Sequence, residues 1–144
     1  MHKIVTQRVF NAPIEKVWAL VADFSNLDWN SIPQKVEVIK ADRDDRVGEI
    51  RRIFMPNMPA AVDEVLESID PEKHSLRYSV PESPVENHQV VITLLTVEEN
   101  KTYAEWHASF GESLVDGLTA EMMIGIIQKA YNSMLDELEA AVTN

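Results

Sequence analysis

A single apolar stripe near the C-terminus constrains this chain most. Over residues 114–142, Ala120, Met123, Ile124, Ile127, Tyr131, Met134, Leu135, Leu138, Ala141 and Val142 recur at three- and four-residue steps, so they share one side of an α-helix. Glu121, Gln128, Lys129, Asn132, Asp136 and Glu139 take the other side. A helix of roughly 29 residues is about 44 Å long at 1.5 Å per residue. A stripe of that length needs a large, concave apolar partner, and the upstream sequence has the pattern of a sheet.

Residues 4–10 alternate apolar and polar and read as a strand that ends at Asn11-Ala12-Pro13. Pro13 suits the first position of a helix, where its missing N–H has no partner to lose. Ile14, Val17, Trp18 and Val21 give that helix one apolar face, and Glu15 suits the positive end of its dipole. Ser25 is placed to cap a second short helix over residues 26–30, carrying Leu27 and Trp29. From Lys35 to Phe110 the pattern is one of strands separated by turn signals at 42–46, 56–59, 70–73, 81–87 and 98–101. Connections this short imply an antiparallel meander.

Charge fixes the register, because residues directly opposite in a sheet share a face. A turn centred on Asn57-Met58 sets Arg51 against Glu64 and Arg52 against Asp63, two opposite-charge pairs on opposite faces. In the next hairpin, Leu66 beside Tyr78 brings Glu67 beside Arg77. Continued along the strands, one face holds Ile53, Val62, Leu66, Leu76, Val80, Val90, Ile92, Leu94, Ala104, Trp106, Ala108 and Phe110. That face must meet the helix, and its polar members are Arg51, Glu64, Tyr78 and His88.

The bulk properties narrow the function. With 144 residues, 45% of them apolar, the chain suits one domain over 1–144. A net charge of -11 opposes binding to nucleic acid or to anionic lipid surfaces. The absence of cysteine removes disulfides, thiolate metal sites and cysteine nucleophiles. The four histidines lack zinc spacing, and Asp42 to Asp45 begin a calcium-loop pattern that Arg46 interrupts. No metal or cofactor is therefore expected. No apolar run reaches membrane-spanning length, and we expect a cytoplasmic protein, monomer or homodimer, without membrane insertion.

In order along the chain, Ala12-Pro13, Val17-Trp18, Asp23-Phe24, Trp29, Gly48, Arg51, Glu64 with Leu66, Asp70, Tyr78, Trp106, Phe110 and Tyr131 carry a resemblance. The chain resembles the helix-grip (SRPBCC) superfamily, which includes START-type lipid-transfer domains and the birch-pollen allergen. Within it, the small bacterial polyketide cyclase/dehydrase-like group is the nearest in pattern. The resemblance implies an α+β fold: a curved antiparallel sheet wrapped around the long C-terminal helix, with two short helices after the first strand. It also implies a cavity between sheet and helix for a hydrophobic ligand. His88 stands where relatives carry a tyrosine.

Three functions compete. The first is binding of a lipid, polyketide or aromatic molecule, with Arg51, Glu64, Tyr78 and His88 at its polar end. Trp29, Trp106, Phe110, Met123, Ile127 and Tyr131 would then wall the cavity, with Phe24 and Met134. The second is cyclase or dehydratase chemistry, in which His88 or Glu64 moves a proton, with Tyr78 a further candidate, and Arg51 steadies an oxyanion. The third is a protein-interaction module. Each candidate has a plainer role as well: an Arg–Glu pair is often structural, a histidine on an apolar face is commonly a hydrogen-bonded core residue, and most of the stripe is ordinary core.

Overall fold

The computed structural model describes residues 1–56 and 58–143. Its strands are β1 (His2–Phe10), β2 (Lys35–Ile39), β3 (Ile50–Phe54), β4 (Val62–Asp70), β5 (Ser75–Ser79), β6 (Gln89–Glu98) and β7 (Lys101–Phe110). Its helices are α1 (Ile14–Ala22) and α2 (Ala120–Thr143). The strands form one antiparallel sheet in the order β1-β7-β6-β5-β4-β3-β2. It is a meander whose first strand returns to close against the last. The sheet curves around α2, giving the expected α+β helix-grip architecture.

Alternation puts the core where the sequence places it. On β7, Thr102, Ala104, Trp106, Ala108 and Phe110 are buried, and on β6 so are Val90, Ile92 and Leu94. Leu135, Leu138 and Val142 of α2 close over them together with Val17, Val21 and Phe24. The backbone of α2 runs close to β1 and α1 and stands farther from β3, β4 and β5. Arg8 ties β1 to the flank of α2, donating to Asp136 at 2.8 Å and to Glu139 at 3.1 Å. Packing is therefore tight on one side of the helix and loose on the other.

Register holds through the charged hairpin. Arg51 pairs with Glu64 and Arg52 with Asp63. Arg52 Nε and Nη2 donate to the two Asp63 oxygens at 2.8 and 3.0 Å. Asn57, half of the expected turn centre, lies outside the described residues.

The next hairpin departs from expectation. Leu66 pairs with Tyr78, but Ser68, not Glu67, then pairs with Arg77. Glu67 is the extra residue of a β-bulge, and its carboxylate accepts from Ser79 Oγ at 2.6 Å. The cause is parity. Leu66 and Ile69 both pack towards the core although they stand three residues apart, and only one inserted residue lets both face the same way. Beside the bulge, Gly48 N–H donates to Leu66 O at 2.7 Å and Leu66 N–H to Glu49 O at 2.9 Å.

Two helix boundaries also differ. Residues 26–30 are turns, not a second short helix. Asn26 Oδ1 accepts from the Asp28 N–H and Asn30 Oδ1 from the Ile32 N–H, both at 3.1 Å. These side chains compete for the N–H groups that a helix would use. Ser25 Oγ makes no hydrogen bond among the described residues, so it caps nothing. At the other end, α2 starts at Ala120 because Thr119 caps it, Oγ1 accepting from the Met122 N–H at 3.1 Å. Leu114 and Val115 precede the helix and are exposed. Pro13 is likewise the residue before α1, with extended ψ, and its carbonyl accepts from the Lys16 N–H at 3.0 Å.

Gly48 has φ +95°, a conformation that costs an L-residue, and a Cβ there would stand 3.4 Å from Ala41 Cβ. Gly48→Ala should destabilise the protein by about 1–2 kcal/mol in urea unfolding. An unchanged midpoint would show that the bulge region absorbs the strain.

Candidate ligand-binding cleft

The side of α2 that stands off the sheet leaves a cleft of about 710 Å³. Its floor is Arg51 and Ile53 on β3, Glu64 on β4 and Tyr78 on β5. Ile126, Ala130, Tyr131 and Met134 of α2 form one wall, and Leu27, Ile32 and Pro33 from the segment after α1 form the other. The lining is mostly apolar, with Arg51, Glu64 and Tyr78 in contact with one another on the floor. Lys129, Asp136 and Glu137 stand at the helix margin. Ser31 joins the two walls: its N–H donates to Glu137 Oε1 at 3.1 Å, and its hydroxyl donates to the same oxygen.

Arg51 is held by two hydrogen bonds and two aromatic rings. The inward parity of β3 points it beneath the helix, and its side chain is 8% exposed. Nε donates to Glu64 Oε1 at 2.7 Å, and Nη1 donates to the carbonyl of Phe24 at 2.7 Å. The guanidinium lies 4.0 Å from the Phe24 ring centroid and 4.8 Å from that of Tyr78. A desolvated cation over an aromatic face gains about 2 kcal/mol, which offsets part of the cost of taking it out of water.

Tyr78 supplies a phenol from the floor and Tyr131 one from the helix wall. Burial, then the neighbouring Glu64 carboxylate, pushes both hydroxyls well above the ordinary tyrosine range, and the two phenols also interact with each other. Both stay protonated at neutral pH. They act as neutral hydrogen-bonding groups, not as bases.

Of the residues singled out from the sequence, the structure brings Arg51, Glu64, Tyr78, Tyr131 and Met134 together in the cleft. Trp106, Phe110, Met123 and Ile127 are buried in the core, and Trp29 is packed against it; none of the five lines the cleft. Phe24 serves the site from behind, through its carbonyl and ring.

His88 also lies off the cleft. It sits before β6, its Nδ1 is 2.9 Å from Ser83 Oγ, and its ring meets Phe110 edge-on at 6.2 Å. Ser83 Oγ also accepts from the Val85 N–H at 3.4 Å. Nε2 has no partner among the described residues. Burial lowers the His88 pKa to about 4, so the ring is neutral at pH 7.

Sequence reasoning missed Ile53, Leu27, Ile32, Ile126 and Ala130 as lining. Ile126 is the one with a visible signal: it is a large apolar residue outside the stripe, and it is 55% exposed. Among the described residues no group of three or more histidine, aspartate or glutamate side chains is arranged to hold a metal ion, and no helix is long and apolar enough to cross a membrane.

The family model described as polyketide cyclase/dehydrase and lipid transport matches residues 1–143. The chain belongs to that family. This polyketide cyclase/dehydrase and lipid transport family member also shares its fold with solved bacterial structures. XoxI from Bacillus cereus superposes with a TM-score of 0.83 at 22% identity, covering 100% of this chain and 97% of that one. An uncharacterised Bacillus thuringiensis protein gives 0.82 at 21% identity, covering 99% and 100%. A Nitrosospira multiformis protein gives 0.80 at 22% identity, covering 98% and 96%. At such identities the likeness is one of fold alone. Comparison with curated proteins finds no match.

Two measurements test the electrostatics of this family member. Arg51→Met alone should cost about 3 kcal/mol, because it strands Glu64 and the Phe24 carbonyl, and adding Glu64→Leu should recover much of that loss; additive losses in the double variant would refute the pairing. For His88, the folded value of about 4 lies below the ordinary histidine value of 6.5. Between these values the unfolded chain binds a proton that the folded chain excludes, so the stabilisation is complete above pH 6.5 and is lost as pH falls towards 4. Unfolding curves of wild type and His88→Gln should therefore converge by roughly 2–3 kcal/mol over that window. A constant difference would mean that His88 is not buried as described.

Proposed function

We propose that this protein binds a small hydrophobic or amphipathic molecule, a lipid, polyketide or aromatic compound, in the cleft between α2 and strands β3 to β5. The single observation that carries the reading is the cleft itself: a mostly apolar space of about 710 Å³ in whose lining Arg51, Glu64, Tyr78 and Tyr131 stand together. Small-molecule sites have this composition, an apolar lining with a few placed polar groups. Membership of a family described by polyketide chemistry and lipid transport supports the same ligand class.

Binding is favoured over catalysis. His88, the sequence's foremost proton carrier, does not line the cleft, and the two tyrosines that do are held protonated. Glu64 is engaged by Arg51 through one oxygen. Phenols held protonated cannot take up a proton as general bases. The lack of cysteine suits a reducing compartment such as the cytoplasm.

Ala130 offers the cleanest test, being an exposed position of α2 that faces the cleft. Ala130→Trp should fill the space and weaken uptake of the neutral dye Nile red by roughly tenfold or more, while the thermal midpoint moves by only a few degrees. Undiminished uptake would place the ligand site elsewhere.

A further inference from the structure

The polar end of the cleft is not a simple positive site. Arg51 uses Nε for Glu64 and Nη1 for the Phe24 carbonyl. Its Nη2 has no hydrogen-bond partner among the described residues, and neither has Glu64 Oε2. Neither atom is among the fully enclosed polar atoms that lack a partner, and both residues line the cleft. The two side chains touch at 2.7 Å through Nε and Oε1, so the unused N–H groups of Arg51 and the unused oxygen of Glu64 belong to two groups in direct contact. The cleft therefore offers hydrogen-bond donors and an acceptor on adjoining side chains.

That pairing discriminates among head groups. A carboxylate could accept from Nη2 but would face the Glu64 carboxylate, with Asp136 and Glu137 also lining the cleft and Lys129 the other cation there. The net charge of -11 adds to its repulsion. An ammonium could donate to Oε2 but has no lone pair for Nη2 and meets the guanidinium charge. A hydroxyl both donates one hydrogen and accepts through its lone pairs, so it satisfies both atoms without carrying charge into a low-dielectric site. We propose that the cleft selects ligands whose polar end is a neutral hydroxyl, an alcohol or a phenol, which accepts from Arg51 Nη2 and donates to Glu64 Oε2. This rests on the ligand-binding reading above. Tyr78 and Tyr131 add neutral groups beside the pair, so nothing in the floor compensates a charged head.

A matched series of ten-carbon ligands tests the assignment: decan-1-ol, decanoate, decylammonium and decane, each displacing Nile red from the full chain at pH 7 below its micellar concentration. Decan-1-ol is expected to displace with a constant roughly tenfold lower than any of the other three, the usual worth of a satisfied buried hydrogen-bond pair. In Glu64→Gln, the amide oxygen can still accept from Arg51 while its NH2 faces the ligand. The preference for decan-1-ol over decanoate should then shrink roughly tenfold, because the anion is no longer repelled. Equal constants for decan-1-ol and decane, or tighter binding of decanoate or decylammonium, would overturn the hydroxyl assignment and leave ligand binding standing. If wild type takes up no Nile red and none of the four ligands raises its thermal midpoint, both readings fall.

Discussion

The buried guanidinium of Arg51 is the constraint around which the other parts are arranged. A cation removed from water must find partners inside the protein. Arg51 finds them on three elements that are distant in sequence: the carbonyl of Phe24 just after α1, Glu64 on β4, and the ring of Tyr78 on β5. Each partner is thereby fixed against β3. The Phe24 ring tilts against Tyr78 at 5.7 Å, so the cation and the two rings form a triangle of mutual contacts at the cleft floor. A hydrophobic residue could fill the same volume, but it could not dictate where the chain leaves α1, because only a donor holds that carbonyl.

Much of the architecture was legible because sheets and helices impose strict periods. Opposite charges fixed the pairing of Arg51 with Glu64 and Arg52 with Asp63, and the stripe of α2 assigned its buried side. The failures have local causes. Strict alternation carried Glu67 opposite Arg77, although the spacing of Leu66 and Ile69 already violates a period of two and marks the bulge. Residues 26–30 have apolar members at helical spacing, yet Asn26 and Asn30 turn the backbone back on itself. The stripe continued past the start of α2 because Leu114 and Val115 fit its period; the threonine cap at 119 decides the boundary.

The site was legible in its polar half. Arg51, Glu64 and Tyr78 stand out as polar residues on an inward face, and such residues need a reason. His88 stood out equally, and its reason proved local: Ser83, five residues earlier, meets its ring. The apolar half was not legible, because periodicity reports which side of a helix faces inward and not how far the helix stands from the sheet. Met123 and Ile127 share the stripe with Tyr131 and Met134, but the first two are packed while the last two look into the gap. Distance is set by the tilt of α2 towards β1 and α1, a property of the assembled whole.

The segment between α1 and β2 has one more consequence. Its last stretch, residues 30–34, carries Ile32 and Pro33 of the cleft wall, and it is fastened by the Asn30 N–H to Leu27 O at 2.9 Å, the Asn30 side-chain turn, the Ser31 link to Glu137 and the Gln34 N–H to Phe54 O at 2.7 Å, whereas Phe24 and Leu27 before it are buried. The sheet carries continuous hydrogen-bonded ladders, and this stretch does not. Its opening free energy is accordingly a fraction of the global one, since it breaks few contacts of the core. Movement of this stretch is thus separable from the durability of the fold: it can part from Glu137 while the sheet and α2 remain closed on each other.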